Sequence, residues 1–316
     1  MFDVTTLGEV LIDFTEAGTS DGGMSLFERN AGGAPANVLV ALQRLGHPTA
    51  FIGKVGADMH GEFLRRTLEV EGVDCSGLVS DPAFFTTLAF VALAPSGERT
   101  FSFARKPGAD TRIAPDELPR DVIASSRVFH VGSLSLTDEP ARSATRAAIS
   151  LAREAGCTLS YDPNYRANLW PSPEAAAEQM RSVIADTDLM KISDEECTLL
   201  TGAADPEDAA RALADAGVKV AVVTLGGSGA YVRCAEGGRT VPGFPAEVVD
   251  TTGAGDSFWG GFLAAFCESG LPADAVTLDD AERFARMGNA VASLCVRGRG
   301  GIPSMPDRAA VEALLP

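Results

Sequence analysis

A chain of 316 residues with 46% hydrophobic content is long enough for one large α/β domain or two smaller ones with a sizeable core. Its net charge of −17 argues against a protein that grips nucleic acid or an anionic membrane through a basic face. No uncharged apolar run reaches the roughly 18 residues of a membrane-spanning helix.

The N-terminal stretch MFDVTTLGEVLIDF carries no positively charged leader, so a cytoplasmic protein is expected. VTTLGEVLIDF (4–14) has the pattern of a strand, with Asp13 at its end. Residues 12–30 are polar and glycine-rich and break the rhythm. AGGAPANVLVALQRLG (31–46) then combines Gly32 and Gly33 with a helix start at Pro35, with Asn37 in the first turn. This is either a well-formed helix start or a site where Asn37 and nearby backbone bind sugar hydroxyls. Asp13 is likewise a turn residue or a second, bidentate acceptor for such hydroxyls. A strand follows at TAFIGKVG (49–56) and a helix at HGEFLRRTLEVEG (60–72).

Residues 84–104 predict two strands joined by a PSGE turn with no helix between them, a small cover sheet or dimer contact outside the main series. Further strands are expected at RVFHVGS (127–133), CTLSYDP (157–163), LMKIS (189–193) and VKVAVVTLG (218–226), with a helix at 139–156. Alternation of this kind implies α/β architecture: a central, mostly parallel sheet flanked by helices on both faces, binding ligands beyond the strands' carboxyl ends. The six cysteines form no CxxC pair and predict buried, reduced thiols rather than zinc ligands or disulfides. No linker or repeat divides the chain, so one domain over 1–316 is expected.

DTTGAGDSF (250–258) precedes an apolar helical run. A helix N-terminus offers unpaired N–H groups and the positive end of the helix dipole, and glycine lets the backbone approach a ligand. Gly253, Ala254 and Gly255 would suit a phosphoryl group, with Asp256 within reach of an attacking hydroxyl. A cap and a turn explain the same residues on their own. TLGGSG (224–229) follows an apolar strand and is a second loop able to cradle phosphate. GxxxxGK[ST] is absent, so this is not a P-loop protein.

Taken together, AGGAPANVLVALQRLG followed by GKVGADMHG and, later, DTTGAGDSFWGGFL resemble the two signatures of the ribokinase-like, or PfkB, family of carbohydrate kinases. The resemblance runs nearly end to end. It implies a ribokinase-like fold with a small β-sheet lid at about 12–30 and 84–104, and transfer of the γ-phosphate of ATP to a sugar hydroxyl. Asp256 would be the base and Gly253, Ala254 and Gly255 the anion hole; Asp13, Gly32, Gly33 and Asn37 would bind sugar. Glu196 in SDEE matches the family's magnesium-organising Glu, acting through water, whereas Ser193 replaces the usual Asn. Lys191 would face the nucleotide phosphates or, as a strand-end lysine, solvent. Thr224, Gly226 and Gly229 match the phosphate loop, and Asn289 the adenine side. Asp250, Thr252, Cys295, Gly298, Gly300 and Ser304 match a potassium site built mainly from backbone carbonyls. The lid implies a homodimer.

Three stretches, FARKPGAD (103–110), YDPNYRANLW (161–170) and KISDEE (191–196), resemble fructokinase segments. The resemblance implies that Phe103 joins the substrate site and that Arg105 and Arg166 face the acceptor pocket or the incoming phosphate; surface salt bridging is the plain alternative for both arginines. A 2-keto-3-deoxygluconate kinase is the nearest alternative, since that group shares the Asp-x-Asn-x-Arg stretch found here in YDPNYR, and paired arginines suit the carboxylate of a sugar acid. The absence of tyrosine from 84–104 favours a neutral sugar. Aminoimidazole riboside kinase, ribokinase and a catalytically inactive sugar sensor are further alternatives.

Overall fold

The computed structural model describes residues 1–93 and 99–315; the PSGE turn and the Phe101 side chain lie outside the described residues. Its strands are β1 (Phe2–Leu7), β2 (Leu11–Thr19), β3 (Ser25–Gly32), β4 (Thr49–Gly56), β5 (Asp74–Asp81), β6 (Leu88–Leu93), β7 (Arg99–Ala104), β8 (Ser126–Gly132), β9 (Thr158–Asp162), β10 (Leu189–Ser193), β11 (Val220–Thr224), β12 (Ala230–Cys234) and β13 (Gly237–Val241). The helices that matter to the site are α1 (Ala34–Arg44), α2 (Met59–Val70), α3 (Ala141–Glu154), α4 (Ala254–Ser269) and α5 (Leu278–Cys295).

Nine strands form one sheet in the order β13-β12-β11-β10-β9-β8-β1-β4-β5. From β11 to β5 all pairings are parallel, and β12 and β13 are added antiparallel at one edge. The chain goes from β1 to β4 on one side and later to β8 on the other. That reversal opens a crevice at the carboxyl ends of β1 and β8. A separate four-stranded sheet, β3-β2-β6-β7, lies beside this crevice.

Strand alternation divides the core. Val220 and Val222 face the layer of α1, α4 and α5, while Ala221 and Val223 face the layer that includes α3. Helix α4 is buried almost all round, with Trp259 stacked on Phe262 and Phe284 of α5 edge-on to Phe262 and Phe266. Its Gly260 lies against Ala41 of α1, where a side chain would approach the Ala41 methyl to 2.6 Å. This close approach brings the first turns of α1 and α4 together.

The strands at 49–56 and 189–193 cover the expected residues. VTTLGEVLIDF, expected as one strand, is divided. The chain leaves the main sheet at Gly8–Val10, passes over the Pro35 ring, and re-enters pairing as β2 of the small sheet. The polar segment at 12–30 is therefore a hairpin, β2–β3. Polar and glycine residues such as Thr15, Glu16, Gly18, Asp21, Gly22 and Gly23 interrupt any regular apolar alternation there, so the strands are faint in sequence. β5, β12 and β13 were not anticipated because they are short, contain glycine, or lie at sheet edges.

Candidate active site

Two cavities open beyond the carboxyl ends of the central strands. The first, of about 280 Å³, is lined by Glu9, Asp13, Gly33, Asn37, Phe103, Asn164, Arg166 and Lys191, and by the start of α4 from Thr251 to Asp256. The second, of about 400 Å³, is lined by Thr224, Gly226, Gly229, Phe244, Val248, Asn289 and again Thr251, Ala254 and Gly255. The turn before α4 is thus the wall shared by both.

Asp256 stands at this wall, buried in the first turn of α4. Asn37 Nδ2 donates to its Oδ2 at 2.7 Å, and Asn164 Nδ2 donates to its Oδ1 at 3.0 Å. Burial is the main cause that raises its pKa to about 6; the charge of Asp162 adds to this, while Asn37, Lys191 and Arg166 oppose it. A carboxylate so poised accepts a proton readily near neutral pH while remaining ionised. Asp13 is also pushed up, to about 7, first by burial, against the pull of Arg166.

Gly253 caps α4 in a left-handed conformation, φ 77°, which lets the chain turn sharply into the helix. The Ala254 N–H donates to the Thr251 carbonyl at 3.2 Å, so the middle of the three expected amides is engaged in the turn. A side chain at Gly255 would come within 2.8 Å of Lys191 Nζ. Lys191 is therefore not a solvent-exposed strand end. It is buried, its Nζ donates to Asp162 Oδ2 at 2.8 Å, and the same Nζ faces Gly255 at the start of α4. Burial opposes its charge, but Asp162, Glu196 and Asp256 outweigh that, and its pKa moves up.

Gly33 caps α1 at φ 112°, and a side chain there would overlap the Glu9 carbonyl. Gly32 does not line the cavity; it leaves the space in which the Asp13 carboxylate sits. Arg105, expected to face the acceptor, is likewise not on the cavity wall. Its guanidinium is buried against Asp110 at 2.7 Å, Thr137 and the Leu134 carbonyl, a closed set of partners that holds it behind the wall. Arg166 does line the cavity. Ser193 lines neither cavity: its N–H and hydroxyl both go to Glu196 Oε2, whose other oxygen accepts the Tyr165 N–H at 2.7 Å. Glu196 thereby ties the loop after β9 to the end of β10.

Thr224, Gly226, Gly229 and Asn289 meet at the second cavity, with the Asn289 amide bonded to the carbonyls of Val241 and Pro242. The six residues expected at a monovalent cation also converge. Asp250 accepts the N–H groups of Thr252 and Gly300 at 2.7 and 3.0 Å, and Cys295 Sγ lies 3.2 Å from the Ser304 hydroxyl, which bonds the Gly300 and Gly301 carbonyls. Carbonyl and carboxylate oxygens are the hard donors an alkali cation prefers, so the set fits such an ion. Among the described residues no three His, Cys, Asp or Glu side chains form a metal cage.

Glu9 and Asn164 are among the cavity residues that the sequence reading missed; Thr251, shared by both cavities, and Phe244 and Val248 of the second are others. Glu9 is a charged residue inside the apolar run VTTLGEVLIDF, a signal that was available. It is buried, its Oε1 accepts the Ala34 N–H at 3.2 Å, and burial raises its pKa to about 7. Asn164 sits in YDPNYR, and only the fold brings it to Asp256.

Residues 1–308 match the profile of the pfkB family of carbohydrate kinases. Probable fructokinase-4 of Arabidopsis thaliana is 42% identical over 99% of this chain and 96% of its own length. The crystal structure of a fructokinase with bound ATP from Xylella fastidiosa superposes with a TM-score of 0.91 at 32% identity, covering 100% of this chain and 98% of that one. A fructokinase double mutant from Vibrio cholerae O395, with fructose, ADP and potassium bound, gives 0.88 at 34% identity, covering 100% and 99%.

Proposed function

The chain belongs to the pfkB family of carbohydrate kinases, and we propose that it is an ATP-dependent fructokinase that phosphorylates the primary hydroxyl of fructose at Asp256. The observation that carries this reading is the shared wall: an acceptor cavity and a nucleotide-sized cavity meet at Thr251, Ala254 and Gly255, with the poised carboxylate of Asp256 on the acceptor side. The two fructokinase crystal structures and the Arabidopsis relative support fructose as the acceptor and ATP as the donor.

In this reading Asp13, Gly33 and Asn37 bind sugar hydroxyls, and Phe103 and Arg166 close the acceptor side. Gly32 and Arg105 support that wall from behind. The sugar's primary hydroxyl gives its proton to Asp256 as its oxygen attacks the γ-phosphorus of ATP. The charge of the transferring group is met by the N–H groups of Gly253 and Gly255, which flank the engaged Ala254 amide, and by Lys191. Thr224, Gly226, Gly229 and Asn289 hold the nucleotide. Magnesium, once bound, neutralises phosphate charge; Glu196 would reach it through water, with Ser193 orienting Glu196. Potassium would be held by the carbonyls around Thr252, Cys295, Gly298, Gly300 and Ser304, with Asp250, and would fix the anion-hole turn. The β2-β3-β6-β7 sheet acts as a lid that excludes water, a competing acceptor. Met24, Leu26, Phe27 and Phe90 of this region are exposed, which supports a homodimer formed through the lid. Among the described residues no helix is long and apolar enough to cross a membrane. The six cysteines are free and buried, which supports a cytoplasmic location.

A sugar acid would call for paired arginines, and Arg105 is already committed to Asp110; this favours a neutral sugar. The deciding experiment is a coupled ADP-release assay with magnesium and potassium, comparing fructose with 2-keto-3-deoxygluconate, ribose and aminoimidazole riboside. The expected result is a preference for fructose. A preference for the sugar acid overturns the substrate, and no turnover with any sugar favours an inactive sensor. In the same assay kcat/KM should fall about tenfold per pH unit below about 6, as the free enzyme's Asp256 takes up its proton. A flat profile down to pH 4.5 rules out this base.

A further inference from the structure

Asn164 has a backbone φ of 49°, and it is the one non-glycine residue with positive φ among the described residues. Such a conformation costs about 1 kcal/mol or more and persists only where its surroundings hold it. They do so here on both sides. The Pro163 carbonyl accepts the Ser133 N–H at 3.2 Å, and the Tyr165 N–H donates to Glu196 at 2.7 Å. The loop is thus fixed to the ends of β8 and β10. The product of this turn is the placement of one amide, 3.0 Å from Asp256 Oδ1. Asn37 occupies the other oxygen.

We propose that Asn164 is a positioning residue for phosphoryl transfer: with Asn37 it holds both oxygens of Asp256, so that the carboxylate presents a fixed lone pair to the acceptor hydroxyl. The inference rests on the reading of Asp256 as the base. A helix cap would need neither the second amide nor the strained turn. Each carboxylate oxygen keeps a second acceptor direction after receiving its amide, so the clamp leaves room for the substrate proton. The charged and titratable groups facing Asp256 are Asp162, Lys191 and Arg166 from the central strands and the loop after β9, Asp13 from β2, and Cys295 from the end of α5.

Donation to a carboxylate stabilises its ionised form, so losing one donor raises the apparent pKa of the base. Asn164→Gly keeps the positive φ without strain and removes the amide. Its kcat should fall about tenfold, and the acidic limb of its kcat/KM profile should move up by about one pH unit. The profile is read with whichever sugar the wild type phosphorylates best, so a wrong sugar assignment does not obscure it. Asn164→Asp, which also tolerates the left-handed backbone, serves if the glycine variant fails to fold and should move the limb further. If the wild type phosphorylates no sugar, the kinase reading fails on its own, and carboxyl NMR titration of Asp256 in wild type and variant reads the same shift. A limb, or a carboxyl titration, that stays in place overturns the proposal and leaves Asn164 as a turn residue.

Discussion

Asp256→Asn should lower kcat by about 10²–10⁴-fold, the usual worth of a general base, with nucleotide affinity little changed. The substitution keeps shape and volume, so the shared wall between the two cavities is preserved. It removes the acceptor for the hydroxyl proton, and it gives the clamp an amide that must turn one NH₂ toward Asn37 or Asn164. Thermal melting separates this loss from unfolding. Burial raises the folded pKa of Asp256 from 3.8 to about 6. The native state therefore holds this proton more tightly than the unfolded chain, and the group's contribution to stability declines as pH rises from about 4 to about 6. At neutral pH the buried charge costs the fold stability; a neutral asparagine relieves that cost but sets one buried donor amide against another, so the variant should melt close to the wild type. An Asp256→Asn variant with wild-type kcat would mean that another group takes the proton.

The second large effect is expected at Lys191. Lys191→Met strands Asp162 as a buried charge, and breaking such a pair costs about 3–5 kcal/mol. Urea unfolding should register that loss, and Lys191→Met combined with Asp162→Asn should recover most of it, because the orphaned charge is then gone. Activity should not recover in the double variant. The Nζ that faces Gly255 is still missing, and KM for ATP should remain raised more than KM for the sugar. Full recovery of both stability and activity would make Lys191 a purely structural ion-pair partner.

Composition, alternation and glycine placement determined much of this protein. Apolar runs of strand length alternating with helical periodicity dictate a parallel α/β sheet, because βαβ crossovers bury both faces of each strand. The GAGD turn and TLGGSG were legible because positive φ and close backbone approach demand glycine locally, and Asp256, Asn37 and Thr224 stand beside such glycines. The roles of side chains that meet across the fold were not legible. Asn164 and Asp256 are separated by 92 positions, and their meeting depends on β9 ending beside the start of α4. Arg105 has the residue type and local context of a ligand contact, yet Asp110 and Thr137 are placed to hold its guanidinium away from the cavity. Local chemistry is written in short stretches because propensity and backbone conformation act over a few residues. Which charge faces which cavity is decided by packing between distant segments, and only the tertiary structure carries that.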